Sequence, residues 1–205
     1  MAPKYKLTYF NGKALGEPIR FLLAYGGLEF EDKRINFKDW DKFKDAAPYK
    51  LLPLLEEDGK LAYQSKAICR YLAKKVGLMG KDDWENLEID SAVESFYDFR
   101  KECAAYAFEP DPNLKAKKKE KLLNETVPLY MDKLEELAKK NGGHLAGGRL
   151  TWADVYFAGM HESYNLFTHQ NLVEGRPNLK SIVDKVYSIP AIKSVVDRRP
   201  PVEDW

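Results

Sequence analysis

"LLPLLEEDGKLAYQSKAICRYL", residues 51–72, decides the fold. Its first part reads as a hairpin turning at Asp58-Gly59, a pair suited to the left-handed conformations of a tight turn. Its second part changes period. Ala67, Ile68, Tyr71 and Leu72 recur at helical spacing, and Ser65 stands where a helix cap belongs. A hairpin running straight into an amphipathic helix implies a sheet with helices packed on it. The capped end is also a small anion site, because free amide N–H groups and the helix dipole point at whatever sits there. Ser65 therefore has two readings, as a cap and as a ligand group.

Upstream, "KYKLTYF" reads as a strand and "GEPIRFLLAYG" as a helix with Pro18 in its first turn, where a missing N–H costs little. "FEDKRINF" reads as a second strand. Strand, helix, strand, hairpin and helix make residues 1–78 a small mixed α+β domain. Downstream the character changes. Apolar residues recur at three and four through 86–108, 114–140 and 151–168, and shorter helical stretches fit near 178–199. The breaks fall at "EPDPN", "NGGHLAGG" and "EGRPN", all turn chemistry. Residues 84–205 therefore read as an all-helical second domain, joined through "GLMGKDD". Within it, "LTWADV" holds a capping box between Thr151 and Asp154, with Leu150 and Val155 placed to staple the turn. It is a folding device.

The 205 residues suffice for one large or two small domains. Lys plus Arg number 33 and Asp plus Glu 32, so charge gives no case for nucleic acid or an anionic membrane. "MAPKYKL" has no apolar leader core, and no apolar run approaches the roughly 18 residues of a membrane span. Cys69 and Cys103 match no CxxC or zinc spacing, which points to a reducing, cytoplasmic setting. His144, His161 and His169 lack the spacing of a metal site, so no metal is expected. The basic run at 114–123 puts its lysines on one helix face and reads as solvated surface.

Three features converge on a peptide ligand. Tyr9 closes the first strand and precedes a glycine-containing loop, which places a hydroxyl at a sheet edge. Pro53 opens the third strand, where it removes a ladder donor and points to an exposed edge able to take an extended peptide. Gln64-Ser65 supplies the anion site. Together they suit a short, acidic, extended peptide.

On "YKLTYFNGKALGEPIR", "DW" at 39–40, "LPLLEEDGK", "YQSKAICRYL", "DFR" at 98–100, "LTWADVYF" and "IPAIKSVVDRRPP", the chain resembles the cytosolic glutathione transferases, and most closely their insect sigma class. The resemblance implies a thioredoxin-like domain, an all-helical domain carrying the electrophile pocket, and a homodimer. It implies reduced glutathione as co-substrate with no permanently bound cofactor. By the same resemblance Tyr9 is the catalytic tyrosine. Gln64 and Ser65 grip the γ-glutamyl end, Trp40 and Lys44 the glycyl end, and Leu52 pairs its backbone with the cysteinyl residue ahead of a cis Pro53. Asp98 reaches the neighbouring subunit's site. Phe10, Leu15, Tyr106, Tyr156 and Met160 line the apolar substrate pocket. The chain departs from the class twice. Lys50-Leu51 stands where Gly followed by Gln or Lys is usual, and Leu15 stands where some members carry arginine.

The activity so implied is conjugation of the glutathione thiolate to apolar electrophiles, including lipid-peroxidation products and xenobiotics, with peroxidase activity alongside. Two other functions share the class: prostaglandin D synthase-type isomerisation and a crystallin-like structural role.

Overall fold

The computed structural model describes residues 4–201. The chain divides into two compact units, residues up to Leu78 together with those from Val186 onward, and Met79–Lys185. The sequence grouped 186–205 with the helical half; by contacts this closing segment belongs with the first unit. The cause is long-range. Helix α9 (Pro190–Asp197) packs on α1 (Glu17–Tyr25), and Arg199 Nε donates to Glu17 Oε1 at 2.6 Å.

The first unit holds a four-stranded sheet in the order β2-β1-β3-β4, built from β1 (Tyr5–Phe10), β2 (Phe30–Ile35), β3 (Leu54–Glu57) and β4 (Lys60–Tyr63). Strand β1 pairs parallel with β2 and antiparallel with β3, and β3 pairs antiparallel with β4. The turn after β3 is as expected, with Asp58 at φ 49° and Gly59 at φ 76°. Helix α1 packs against α3 (Ser65–Lys75). Between β2 and β3 runs an irregular segment of short 3₁₀ turns and one four-residue helix, α2 (Trp40–Phe43).

The second unit is helical among its described residues. Helix α4 (Asp83–Ala107) packs on α7 (Trp152–Thr168). Its aromatic core sets Phe96 against Phe157 at 4.8 Å and against Tyr164 at 4.7 Å. The stretch read as one helix over 114–140 is two, α5 (Pro112–Lys121) and α6 (Val127–Lys140), with a single wide turn at Leu122–Thr126 between them. Pro128 lies in the first turn of α6, where its missing N–H is tolerated. Pro190 likewise separates α8 (Pro177–Ser188) from α9. "GLMGKDD" is not a plain linker: Asp82 caps α4 by accepting from the Glu85 amide at 2.9 Å. No helix of the described residues is long and apolar enough to cross a membrane.

The capping box of α7 forms as read. Asp154 does more than the sequence showed. Its fully buried carboxylate accepts from the amides of Thr151 at 2.9 Å and Leu145 at 2.8 Å, and lies 3.3 Å from His144 Nδ1. One side chain thus ties the glycine-rich loop at 141–148 to the start of α7.

Candidate active site

Tyr9, Trp40, Lys44, Leu52, Pro53, Gln64 and Ser65 all fall in the first unit. Tyr9 lies next to the end of β1, opposite Arg34 in the parallel register, and is 4% exposed. Its ring meets Phe10 edge-on at 5.7 Å. The Arg20 guanidinium lies 5.9 Å from its centroid, within range of a cation–π contact.

The Leu52–Pro53 peptide is cis, as the resemblance implies. The edge argument needs correction. Strand β3 is paired on both flanks, with Leu54 opposite Thr8 on one side and Tyr63 on the other, so the sheet edges are β2 and β4. Pro53 stands just ahead of the ladder, where no strand donor is required of it.

The helix start also differs from the reading by one residue. Ser65 is the first residue of α3, and Gln64 occupies the cap position with no side-chain cap bond. Gln64 adopts φ 72° and ψ 104°, a backbone conformation L-residues rarely take. Its carbonyl nonetheless accepts the first helical bond, from the Ile68 amide at 3.0 Å. Such a conformation costs about 1–3 kcal/mol and persists where the surroundings impose it. Ser65 is buried beside it at the helix N-terminus, where amide donors and the dipole favour an anion.

Trp40 opens α2 and meets the Phe10 ring edge-on at 5.3 Å, while Phe10 stacks on Phe37 at 4.4 Å. Phe10, assigned to the substrate pocket, is therefore held among aromatic rings of the first unit. Trp40, Thr8, Leu52, Leu54 and Ala47 border a hollow of about 290 Å³. Lys44 is paired with Asp41 at 2.7 Å, and that bond raises its pKa. Lys50 and Tyr49 both have positive φ, 51° and 55°. Leu51 is 59% exposed.

Leu15 sits in the 3₁₀ turn before α1. Asp98 lies in α4, exposed, and pairs with Lys101 at 2.6 Å. Tyr106, Tyr156 and Met160 belong to the second unit and are buried. Tyr156 meets the Trp152 and Phe96 rings edge-on, so it serves the core of that unit.

A charged cluster near Tyr9 escaped the sequence reading. Arg20 is fully buried. Its Nη1 donates to Glu17 Oε2 at 2.9 Å and to the Gly12 carbonyl at 2.8 Å, and its Nε donates to Asp32 at 3.0 Å. Asp32 also accepts from Arg34 Nε at 2.8 Å. The spacing of Glu17 and Arg20 in "GEPIR" was the only signal available, and it gives an ordinary helix pair.

A four-stranded mixed sheet in the order β2-β1-β3-β4 with its helices, followed by a helical unit, is a thioredoxin-like domain joined to a helical one. Residues 5–74 match the family model "Glutathione S-transferase, N-terminal domain" and residues 97–199 match "Glutathione S-transferase, C-terminal domain". A glutathione S-transferase of Anopheles gambiae is 50% identical over 98% of this chain and 99% of its own. The hematopoietic prostaglandin D synthase of Homo sapiens is 36% identical over 97% of this chain and 98% of its own. The solved structure of prostaglandin synthase D of Nilaparvata lugens superposes with a TM-score of 0.93 at 44% identity, covering 97% of this chain and all of that one. The chain therefore belongs to the glutathione S-transferase family. It is a transferase with reduced glutathione as co-substrate.

Proposed function

We propose that this protein is a sigma-class, cytosolic glutathione transferase that conjugates apolar electrophiles. In this reading Tyr9 is the catalytic hydroxyl, Gln64 and Ser65 hold the γ-glutamyl end, Trp40 and Lys44 the glycyl end, and Leu52 and Pro53 the cysteinyl backbone. The strained Gln64 directly before the buried Ser65 carries the site assignment. A costly backbone at a helix N-terminus beside Tyr9's sheet suits a fixed anion cradle better than a plain helix start.

The task is to make a thiolate near neutral pH. A thiol of ordinary pKa, about 8.5, is ionised only to a few per cent at pH 7. A hydrogen bond donated by Tyr9 to sulfur favours the charged form. A shift of about two units corresponds to about 2.7 kcal/mol of preferential stabilisation. The thiolate then attacks an electrophilic carbon, forming the carbon–sulfur bond as the electron pair departs with a leaving group or moves into an adjacent π system. With an organic peroxide it attacks an oxygen, the O–O bond breaks to release the alcohol, and a second glutathione reduces the resulting sulfenic acid to the disulfide and water. Of the residues that the resemblance gives to the electrophile, this reading retains Phe10 and Leu15 of the first unit.

We also infer a homodimer in which Asp98 completes the partner's glutathione site. Each unit bears an apolar surface suited to a second copy. In the first, Tyr49 (74% exposed) leans on Tyr63 at 5.4 Å. In the second, Trp84, Leu87 and Leu129 border a groove of about 460 Å³. Sedimentation and glutathione binding, compared for wild type and Asp98→Ala, test this reading. A monomer that binds glutathione as tightly as wild type would exclude the shared site.

The relatives named prostaglandin synthases favour a second reading, glutathione-dependent isomerisation of a prostaglandin endoperoxide. A panel of electrophiles, organic peroxides and that endoperoxide, assayed with glutathione, separates the two. Turnover of none of them would leave the crystallin-like role.

A further inference from the structure

Resting on the reading of Tyr9 as the hydrogen-bond donor to the thiolate, we propose that Gly16 and Arg20 form a seat that positions the Tyr9 ring, and that the charge balance around Arg20 sets how strongly the hydroxyl donates. Two independent features support this. The first is steric. A Cβ added at Gly16 would lie 2.5 Å from Cδ1 and 2.8 Å from Cγ of Tyr9, and 3.2 Å from Arg20 Nη1. Gly16 has an ordinary φ of −79°, so its glycine is required by the close approach of the ring and not by backbone conformation. The backbone at 16 therefore fills the gap between the phenol and the guanidinium.

The second feature is electrostatic. Arg20 brings a buried positive charge to 5.9 Å from the ring centroid. Glu17 of α1 and Asp32 of β2 face it directly, and Arg34 of β2 and Arg199 from the closing segment face those carboxylates in turn. Arg20 is the cation of this cluster within reach of the phenol ring, and it is fully buried. Arg20 Nη2 has no hydrogen-bond partner among the described residues although it is buried, so part of that charge is left unmatched by an acceptor. A positive potential at the ring favours negative charge on the Tyr9 oxygen and makes its O–H a stronger donor to sulfur. Burial keeps the potential from being screened. Gly16 and Arg20 are positioning residues here; neither is asked to touch the substrate.

Charge and mere structural support predict opposite signs. Asp32→Asn keeps an acceptor for Arg20 Nε but removes one compensating negative charge. It should lower the pKa of enzyme-bound glutathione by roughly half a unit, whereas loosening of the site would raise it towards that of the free thiol. Gly16→Ala should displace the ring, raise that pKa by about one unit and lower kcat/KM for the electrophile, with the KM for glutathione within about twofold. The thiolate absorbance of the binary complex, titrated in wild type, both variants and Tyr9→Phe, gives the readout. A bound-thiol pKa that Asp32→Asn leaves unchanged or raises, or that Gly16→Ala leaves unchanged, overturns the proposal if Tyr9→Phe shifts it. An unshifted Tyr9→Phe overturns the reading of Tyr9 itself, and the seat with it.

Discussion

Tyr71 donates a 2.6 Å hydrogen bond to Oε2 of Glu57, fastening the middle of α3 to the end of β3. The other carboxylate oxygen accepts from the Tyr5 hydroxyl at 2.9 Å and from Lys75 at 3.0 Å. One glutamate therefore joins the first strand, the hairpin and the helix whose N-terminus carries Ser65.

This cluster makes an acid-sensitive fastening. Desolvation alone would raise the Glu57 pKa, but the bonds from Tyr71, Lys75 and Tyr5 outweigh it and lower it from 4.5 to about 2. A depressed carboxylate stabilises the fold above its unfolded pKa and loses that contribution as pH falls through its folded one. Glu57 should therefore cost the protein stability between about pH 4.5 and pH 2. Denaturant midpoints measured across that range should fall less steeply for Glu57→Gln than for wild type. Parallel curves for the two proteins would remove Glu57 from the acid response.

Tyr9→Phe keeps the ring and removes only the hydroxyl. Conjugation should fall by one to several orders of magnitude, roughly the span of a single general or electrostatic catalytic contact. The bound thiol should titrate at higher pH, with glutathione affinity little changed. Thiolate absorbance and steady-state kinetics on the same preparation check both halves.

Residues 50 and 51 separate backbone from side chain. Lys50 sits at φ 51° and its ammonium pairs with the exposed Asp45 at 2.9 Å. Both Lys50→Gly and Lys50→Ala delete that pair, and only glycine tolerates the backbone. The glycine variant should be the more stable of the two by about 1 kcal/mol in denaturant melts, and Lys50→Ala should leave the KM for glutathione unchanged. Leu51→Gln adds a polar group beside the proposed peptide site. It should lower that KM two- to tenfold, the worth of one net hydrogen bond of about 0.5–1.5 kcal/mol, with little change in kcat. Kinetics with varied glutathione decide it; a strong KM effect at Lys50 with none at Leu51 would reverse the register.

Asp154→Ala should be among the most damaging single changes in the second unit. It strands the buried amides of Leu145 and Thr151 together. Each unsatisfied buried donor costs about 1–3 kcal/mol. A loss of about 3 kcal/mol or more in chemical denaturation is expected, against about 1 kcal/mol for Thr151→Ala, which deletes only a cap.

The two cysteines should be silent to thiol reagents in the folded protein. Both are buried, and burial raises Cys103 to about 12 and Cys69 higher still, so almost no thiolate is present near neutral pH. Alkylation should appear only in denaturant, which mass spectrometry of native and unfolded samples resolves.

The local elements were legible in the sequence because local chemistry makes them. Asp58-Gly59 supplies the two left-handed residues of its turn, Pro18 starts α1, and the Thr151–Asp154 box starts α7, all through contacts within a few residues. The helix break at Leu122–Thr126 was missed because apolar spacing runs on through it. The position of Tyr9 at the end of a strand and of Gln64-Ser65 at a helix start could also be read in one dimension.

Tertiary structure decided what distant residues do to each other. Pro53 looked like a mark of an exposed edge, yet β3 lies inside the sheet because β1 and β4 close on either side of it. Tyr156 and Met160 had the apolar character of a pocket and turned out to be buried, since character alone does not say which way a side chain faces. Arg199 meets Glu17 across 182 positions of chain, and Arg20 meets Asp32 only because β1 and β2 run parallel. Gly16 is explained by a ring seven residues earlier that folds back onto it. Sequence period and turn chemistry carry information over a few residues; strand order, burial and charge balance depend on loop closure over tens of residues, and only the folded chain resolves them.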